Sequence, residues 1–320
     1  MKPLDVGQAF TLAARHFDAG RAAEARQLGL LIEKQQPGHG GAHYLLGLLC
    51  LRAGQAKRAV EHLRRAVAAT PLAVAPNMAL ARALAATGRR QAAAEQYDLV
   101  SRLPGGDGAN LRCELAEVLR ALGRNDEAIA NYRCALALDP DRADAHEGLG
   151  SLLIAAGEAA EAVTNLRTAV TLRADWASAH NNLGVALRTC GRMQEAETAF
   201  LTALALRPDR ASVHANLAGL YHETRRAPEA LKHAERAIAL DRANADAWLV
   251  LGQVVARNDP ARALSAFETA AKLAPDLAAA QYFLGDAWRG RGEPGRAARH
   301  FRRYLELEPA DKLGASLALP

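Results

Sequence analysis

The sequence contains few aromatic residues and no long hydrophobic run, although hydrophobic residues make up 50% of it. Phe, Trp and Tyr together account for 5% of the 320 residues. No stretch approaches the ~18 consecutive apolar residues that a membrane-spanning helix needs. The N-terminal segment also lacks the apolar core and cleavage motif of a secretory signal peptide. We therefore expect neither membrane insertion nor export.

Cysteine is scarce as well, and no two cysteines have CxxC spacing. The sequence therefore predicts neither a cysteine zinc site nor a disulfide framework. A reducing, cytoplasmic location is the simplest interpretation. The four cysteines are Cys50, Cys113, Cys134 and Cys190.

Concentrated charge and catalytic motifs are also missing. The formal net charge is +5, and the 40 basic residues, 34 of them arginine, are interspersed with acids. Nucleic-acid binding would need a clustered basic face, so we expect none. The sequence has no GxSxG motif, no Gly-rich phosphate loop and no HExxH motif. We therefore predict a protein that is not an enzyme and that holds no cofactor.

What the sequence does contain is a repeat. A Leu-Gly or Leu-Ala pair recurs nine times at close to 34-residue spacing, which is typical of a repeat array. In all but one copy an alanine follows the small residue after twelve positions, and small residues allow helices to pack closely. The nine pairs begin at Leu12, Leu46, Leu80, Leu115, Leu149, Leu183, Leu217, Leu251 and Leu284.

Each repeat contains two helical runs separated by a turn. In residues 179–208, Leu183 and Leu187 mark the first helix, and Ala196 and Phe200 mark the second. Glycine usually stands in the turn between them, where a helix C-cap favours it, and proline commonly closes the unit. The pattern predicts an all-α fold.

The unit resembles the tetratricopeptide repeat, whose signature is W-x2-L-G-x2-Y, then A-x3-F, then P. Trp248, Leu251 and Gly252 give the best single match. The resemblance implies an all-α, right-handed superhelical solenoid of about nine helix-turn-helix repeats, and we expect a single domain over residues 1–320. The expected repeats are 6–39, 40–73, 74–107, 109–142, 143–176, 177–210, 211–244, 245–277 and 278–311.

Histidine recurs at one repeat position, at His43, His146, His180 and His214. Equivalent positions in stacked repeats lie ~10 Å apart, whereas zinc holds its nitrogen ligands at about 2.0–2.1 Å. Trp248 fills the same position in the eighth repeat. We therefore predict no metal site and interpret the position as a packing contact between helices.

In tetratricopeptide proteins, the first helix of each repeat lines a concave groove. The resemblance therefore implies a scaffold or adaptor that binds a peptide or helix there. An apolar set of groove positions consists of Phe10, Phe17, Tyr44, Leu48, Leu51 and Met78. The alternative for the N-terminal aromatic residues is that they cap the solenoid or pack within it. A polar set consists of Glu117, Arg120, Glu147, Asn181, Arg188, His222, Gln253, Asp286 and Arg289.

Residues 179–220 also resemble the repeats of O-linked N-acetylglucosamine transferases, which carry an asparagine just before Leu-Gly. Asn182 and Asn216 match that asparagine, and the resemblance implies pairing with a peptide backbone. The other repeats lack it. An alternative function is the substrate-recruiting region of a larger bacterial glycosyltransferase, methyltransferase or sulfotransferase whose catalytic domain is absent from this sequence.

The C-terminal segment carries an apolar stripe at Leu313, Leu317 and Leu319. Solenoids normally end in a helix with a polar outer face, so we expect Phe301 and Tyr304 of the last repeat to be left open. Two explanations follow, namely a homodimer through the C-terminal repeat or a natural chain that continues further.

Overall fold

The computed structural model describes residues 5–309, whose regular secondary structure is helical, with no strand. This confirms the predicted all-α fold of about nine helix pairs. The helices, in chain order from α1 to α18, are Val6–Asp18, Ala22–Gln35, Gly40–Arg52, Ala56–Ala69, Val74–Ala86, Arg90–Ser101, Ala109–Ala121, Asn125–Leu138, Ala143–Ala155, Ala159–Leu172, Ala177–Thr189, Met193–Leu206, Ala211–Glu223, Ala227–Leu240, Ala245–Val255, Pro260–Leu273, Ala278–Gly290 and Pro294–Leu307.

Odd-numbered helices are the first helices of the pairs, and even-numbered helices are the second. First helices start 34 residues apart, with two exceptions. The start of α7 at Ala109 is one residue late, after the turn that contains Gly108, and the start of α17 at Ala278 is one residue early. The second exception follows from α15, which has 11 residues where the other first helices have 13.

The turn inside eight of the nine pairs contains a left-handed residue. Gly191 has φ +74° between α11 and α12, and six other inner turns carry a glycine of the same conformation. In the seventh pair Arg225 adopts it, with φ 60°. The eighth pair uses a different solution, because the Asp259 side chain accepts a 2.9 Å hydrogen bond from the Arg262 amide and caps α16.

Small residues on the first helix make room for large residues on the second. A Cβ on Gly184 would lie 2.6 Å from the ring of Phe200, and a Cβ on Gly47 would lie 2.5 Å from Leu63 Cγ. Phe200 and Leu63 are fully buried. The close approach of the two helices therefore requires the small residue of the Leu-Gly pair, as the steric argument predicts.

The chain divides into two compact units, Met1–Leu152 and Leu153–Pro320. The border falls inside α9. The N-terminal unit contains α1 to α8, and the C-terminal unit contains α10 to α18. The buried residues of both units are mainly alanine and leucine, with a few aromatic residues.

The expected open C-terminal face is wrong for one residue. Phe301 is 1% exposed because it packs against Gly285 and the edge of Tyr282. Tyr304 is partly buried and contacts Tyr282 with a ring separation of 5.4 Å. The stripe at Leu313, Leu317 and Leu319 lies outside the described residues, so self-association through this end stays a prediction. Within residues 5–309, no helix combines the length and hydrophobicity needed to cross a bilayer.

Candidate functional site

All predicted groove residues lie on first helices, and none of them is fully buried. We call the part of each unit's surface that is formed by these positions the first-helix face. Side chains there differ in how strongly the fold itself engages them.

Phe10 and Phe17 pack inside the array. Phe10 lies against the buried Ile32, and its ring centroid is 5.0 Å from that of His39. Phe17 packs on the cluster that contains Leu49, and the Arg52 guanidinium lies 3.9 Å from the Phe17 ring centroid. Both aromatics therefore join α1 to α3, which is the packing role left open by the sequence.

The remaining apolar set is more accessible. Tyr44, Leu48 and Leu51 on α3 and Met78 on α5 are all partly exposed. Successive turns of α3 therefore present apolar surface on the first-helix face of the N-terminal unit.

The acidic predicted residue of α7 is engaged with its neighbours. Glu117 accepts a hydrogen bond from the Tyr132 hydroxyl and a 2.5 Å bond from Arg120. Burial and the Glu117 carboxylate raise the pKa of Tyr132 well above its usual range. Glu147, one helix pair later, is partly exposed. These contacts order the polar part of the face in the N-terminal unit.

Asparagines of α11 and α13 form a small polar network in the C-terminal unit. The Asn216 amide donates to Asn181 Oδ1 at 2.9 Å, and the Asn181 amide donates to Asn182 Oδ1 at 3.4 Å. Arg188 donates to the Asn216 carbonyl at 3.5 Å. The two matched asparagines are thus brought into one connected patch.

A cavity of about 380 Å³ opens further along this unit. Its volume lies in the range of small-ligand and side-chain pockets. Phe267 and Phe283 stack in its floor with centroids 5.4 Å apart, and Phe267 is 3% exposed. Three predicted groove residues, His222, Gln253 and Asp286, also line the cavity. Asp286 also pairs with the fourth predicted residue of this region, Arg289, at 2.5 Å.

Sequence reasoning missed the role that the fourth residue plays in six of the first helices. His43 Nε2 lies 2.6 Å from the Pro37 carbonyl, the Asn77 amide donates to Pro71 at 2.9 Å, and Trp248 Nε1 donates to Arg242 at 2.9 Å. In each case the acceptor stands six residues earlier, in the turn between pairs. His146, His180 and His214 place Nε2 against the equivalent carbonyl. The aligned histidines thus anchor the preceding turn.

The same position has a second polar partner, nineteen residues later on the second helix. The partner contacts, each 2.7–3.4 Å, are His43 with His62, Asn77 with Gln96, Arg112 with Asn131, His214 with His233, and Gln281 with His300. Burial lowers the pKa of His62, and burial together with His214 lowers the pKa of His233 to about 4. The recurring 19-residue spacing of polar side chains was the available signal in the sequence.

Comparisons with solved structures support the fold. The crystal structure of the APC/C hetero-tetramer Cut9–Hcn1 matches 98% of this chain and 62% of its own, with TM-score 0.64 and 16% identity. The chain thus spans less than two thirds of that relative. PilF of Pseudomonas aeruginosa matches 65% of this chain and 95% of its own, with TM-score 0.54 and 22% identity. At these identities the likeness concerns the fold alone.

Comparison with curated protein sequences finds no significant match. Family models, in contrast, match most of the chain. A model described as TPR repeat matches residues 116–157, and models described as tetratricopeptide repeat match 175–243, 10–74, 44–107 and 254–312. With helix pairs at the same period throughout the described residues, the chain belongs to the tetratricopeptide-repeat family.

Proposed function

We propose that this protein is a non-enzymatic scaffold or adaptor that binds a segment of a partner protein on its first-helix face. The observation that carries the proposal is the cavity of the C-terminal unit. Its lining combines the apolar rings of Phe267 and Phe283 with the polar side chains of His222, Gln253 and Asp286. Such a lining is suited to bind an apolar side chain of a peptide and to fix its orientation. The residues that line the cavity include no serine, threonine, cysteine or lysine that could act as a hydroxyl, thiol or amine nucleophile.

The cavity chemistry specifies the ligand. Phe283 and Ala287 offer apolar contact for one anchoring side chain, such as leucine or phenylalanine. Asp286 and Arg291 at the wall offer one charge of each sign to flanking residues. The exposed Asp286–Arg289 pair contributes little to stability in water, so a ligand charge can exchange with it at low cost.

The asparagine patch extends the same face. Amide side chains can both donate to and accept from a peptide backbone. We propose that Asn182 and Asn216 contact the backbone of the bound segment, as in the transferase repeats that they resemble. In the N-terminal unit, the apolar surface of Tyr44, Leu48 and Met78 is proposed as a separate contact for apolar side chains.

Selection of random displayed peptides on the full-length chain tests this proposal. Wild type is expected to enrich peptides that share one apolar anchor beside a charged residue. Ala287→Trp would fill the cavity from its wall and is expected to weaken binding of an enriched peptide at least about tenfold, as for loss of a central anchor. Ala68→Trp adds the same side chain at an exposed site on α4 and serves as the control.

Two outcomes would contradict the proposal. One is the absence of any enriched peptide on a folded chain. The other is an enriched peptide whose affinity for Ala287→Trp equals its affinity for wild type, since binding would then not involve the cavity.

A further inference from the structure

Three metal-binding side chains meet where the first two helix pairs join. Glu33 Oε1 on α2 lies 3.7 Å from His43 Nδ1 on α3 and 3.8 Å from His62 Nδ1 on α4. The two Nδ1 atoms are 3.4 Å apart. Among the described residues, this is the one group of three His, Cys, Asp or Glu side chains close enough to hold an ion.

The spacing of these atoms fits a metal ion. For three atoms separated by 3.4, 3.7 and 3.8 Å, the equidistant point in their own plane lies about 2.1 Å from each. An ion with a fourth, tetrahedral ligand sits above this plane, so Glu33 Oε1 would have to approach the two histidines slightly. Zinc holds histidine nitrogen at about 2.0–2.1 Å and carboxylate oxygen at about 2.0–2.2 Å. The three ligands therefore need little movement to share one ion.

The hydrogen bond from His43 to the inter-pair turn prepares the site. His43 Nε2 lies 2.6 Å from the Pro37 carbonyl, which can only accept, so Nε2 carries the proton of the neutral ring. Nδ1 then presents its lone pair to His62 and Glu33. A ligand histidine whose other nitrogen is held in this way is a regular feature of metal sites. His43 is 1% exposed, so its orientation is fixed by packing.

Two further features bear on access and charge. His62 and Glu33 are 20% and 22% exposed, so an ion and a water ligand can reach them from solvent. Arg65 donates to Glu33 Oε1 at 3.0 Å and would compete with a cation. Its side chain is 63% exposed, so it can turn away when an ion binds.

We propose that Glu33, His43 and His62 bind one zinc-type divalent transition-metal ion, with a water molecule as the fourth ligand. The ion ties α2 of the first pair to both helices of the second. Two imidazoles and one carboxylate form a ligand set that zinc accepts with one position open. The proposal departs from the sequence-based expectation of no metal, which considered only aligned histidines in different repeats.

The chain contains a natural comparison for this site. His214 and His233 occupy the same two repeat positions, with Nδ1 atoms 2.9 Å apart and Nε2 of His214 at the Pro208 carbonyl. The repeat position equivalent to Glu33 holds Leu204 in that part of the chain. The His214–His233 pair therefore lacks the equivalent carboxylate. The substitution Glu33→Leu gives the proposed site the same three residue types, two histidines and a leucine.

Calorimetric titration of the untagged full-length chain with Zn²⁺ tests the proposal, and the visible absorption of bound Co²⁺ reports the coordination number. Wild type is expected to bind one equivalent with a four-coordinate Co²⁺ spectrum. Glu33→Leu and His62→Ala are expected to bind Zn²⁺ at least about tenfold more weakly than wild type. Loss of a residue that only supports a ligand already costs about tenfold, and these variants lose a ligand itself. His233→Ala is the control and should bind as wild type does.

The proposal is overturned if wild type binds no Zn²⁺, or if Glu33→Leu and His62→Ala bind it as tightly as wild type. Far-ultraviolet circular dichroism checks that each variant is folded. If Glu33→Leu does not fold, Glu33→Gln keeps the shape of the side chain and removes the anionic ligand. Undiminished binding by folded Glu33→Gln and His62→Ala would then overturn the site.

Discussion

Arg225 has the left-handed backbone conformation that glycine takes in seven of the other inner turns, with φ 60°. A side chain in this region costs of order 1–3 kcal/mol, and part of this cost is offset because glycine has more freedom in the unfolded chain. Arg225→Gly is therefore expected to raise the free energy of unfolding by about 0.5–1 kcal/mol. Urea denaturation measures the change. Arg225→Ala removes the same charge but keeps the strained backbone, so a gain there of equal size would contradict the explanation.

His233 makes stability depend on pH. Burial and the neighbouring His214 lower the pKa of His233 to about 4, whereas an unfolded histidine titrates near ~6.5. Between these values the unfolded chain binds more protons, so stability falls as the pH decreases from ~6.5 towards ~4. His233→Gln keeps a polar side chain but does not titrate. It should lose less melting temperature than wild type between pH 7 and pH 5, and an equal loss would contradict this role.

The aligned histidines illustrate the limit of sequence reasoning at this scale. Their common position was evident, and a packing role was predicted from the tryptophan of the family signature. The structure shows that His43, Asn77 and Trp248 share something else, an N–H that reaches the same carbonyl. The three side chains differ in shape, so their shared N–H donor is not evident from the sequence. The acceptor is a main-chain carbonyl, which any residue type can provide.

At the scale of the helix, the small residue of each Leu-Gly pair sets the distance between the two helices of a pair. A Cβ on Gly184 would lie 2.6 Å from the fully buried ring of Phe200. Gly184→Ala is therefore expected to lower the free energy of unfolding by about 1–3 kcal/mol, the usual cost of overpacking. Thermal or urea unfolding provides the measurement.

Gly290 gives the matched control for that prediction. It is the last residue of α17, and a Cβ there would meet no atom within 4 Å. Gly290→Ala is expected to be neutral or to stabilise by about 0.5–1 kcal/mol, because alanine favours the helix. Equal destabilisation by both substitutions would show that the effect does not come from the Phe200 contact.

Helix positions were predictable because they depend on local signals. Glycine and proline stop helices through backbone geometry, and the apolar period of 3.6 is visible within one repeat. The short α15 was harder, because its turn uses the Asp259 cap in place of glycine. Whether Phe10 packs or binds could not be decided from the sequence, since it also contacts Gly41 on α3 and His39 at the N-cap of α3, outside its own helix pair.

For the whole molecule, repetition means that the proposed zinc site can be reproduced in another repeat by changing one residue. The His214–His233 pair lacks only the carboxylate that Glu33 gives to His43 and His62. Leu204→Glu is therefore expected to create a second zinc site, seen as a second equivalent in calorimetric titration. Combining it with His233→Ala should return the count to one. A folded Leu204→Glu chain that binds a single equivalent would show that the two repeats differ in register at this place.

The candidate binding face shows the same division between local and distant information. Its positions followed from the family resemblance, and all of them lie on first helices. The cavity beside Gln253 depends on Phe267 from a second helix and Phe283 from the following pair. A sequence pattern cannot predict the presence or volume of this cavity, because both depend on how three helices pack together.

The hydrogen bond between a first helix and the preceding turn has a consequence for how such a chain can change in length. Its acceptor belongs to the end of one unit, as with the Pro71 carbonyl, and its donor belongs to the start of the next, as with Asn77. A unit that has the donor at its start and the acceptor at its end can form this hydrogen bond with any other such unit that follows it. Duplication or deletion of one whole period therefore leaves each joint complete, whereas loss of half a period would remove a donor or an acceptor and leave one junction without its anchor.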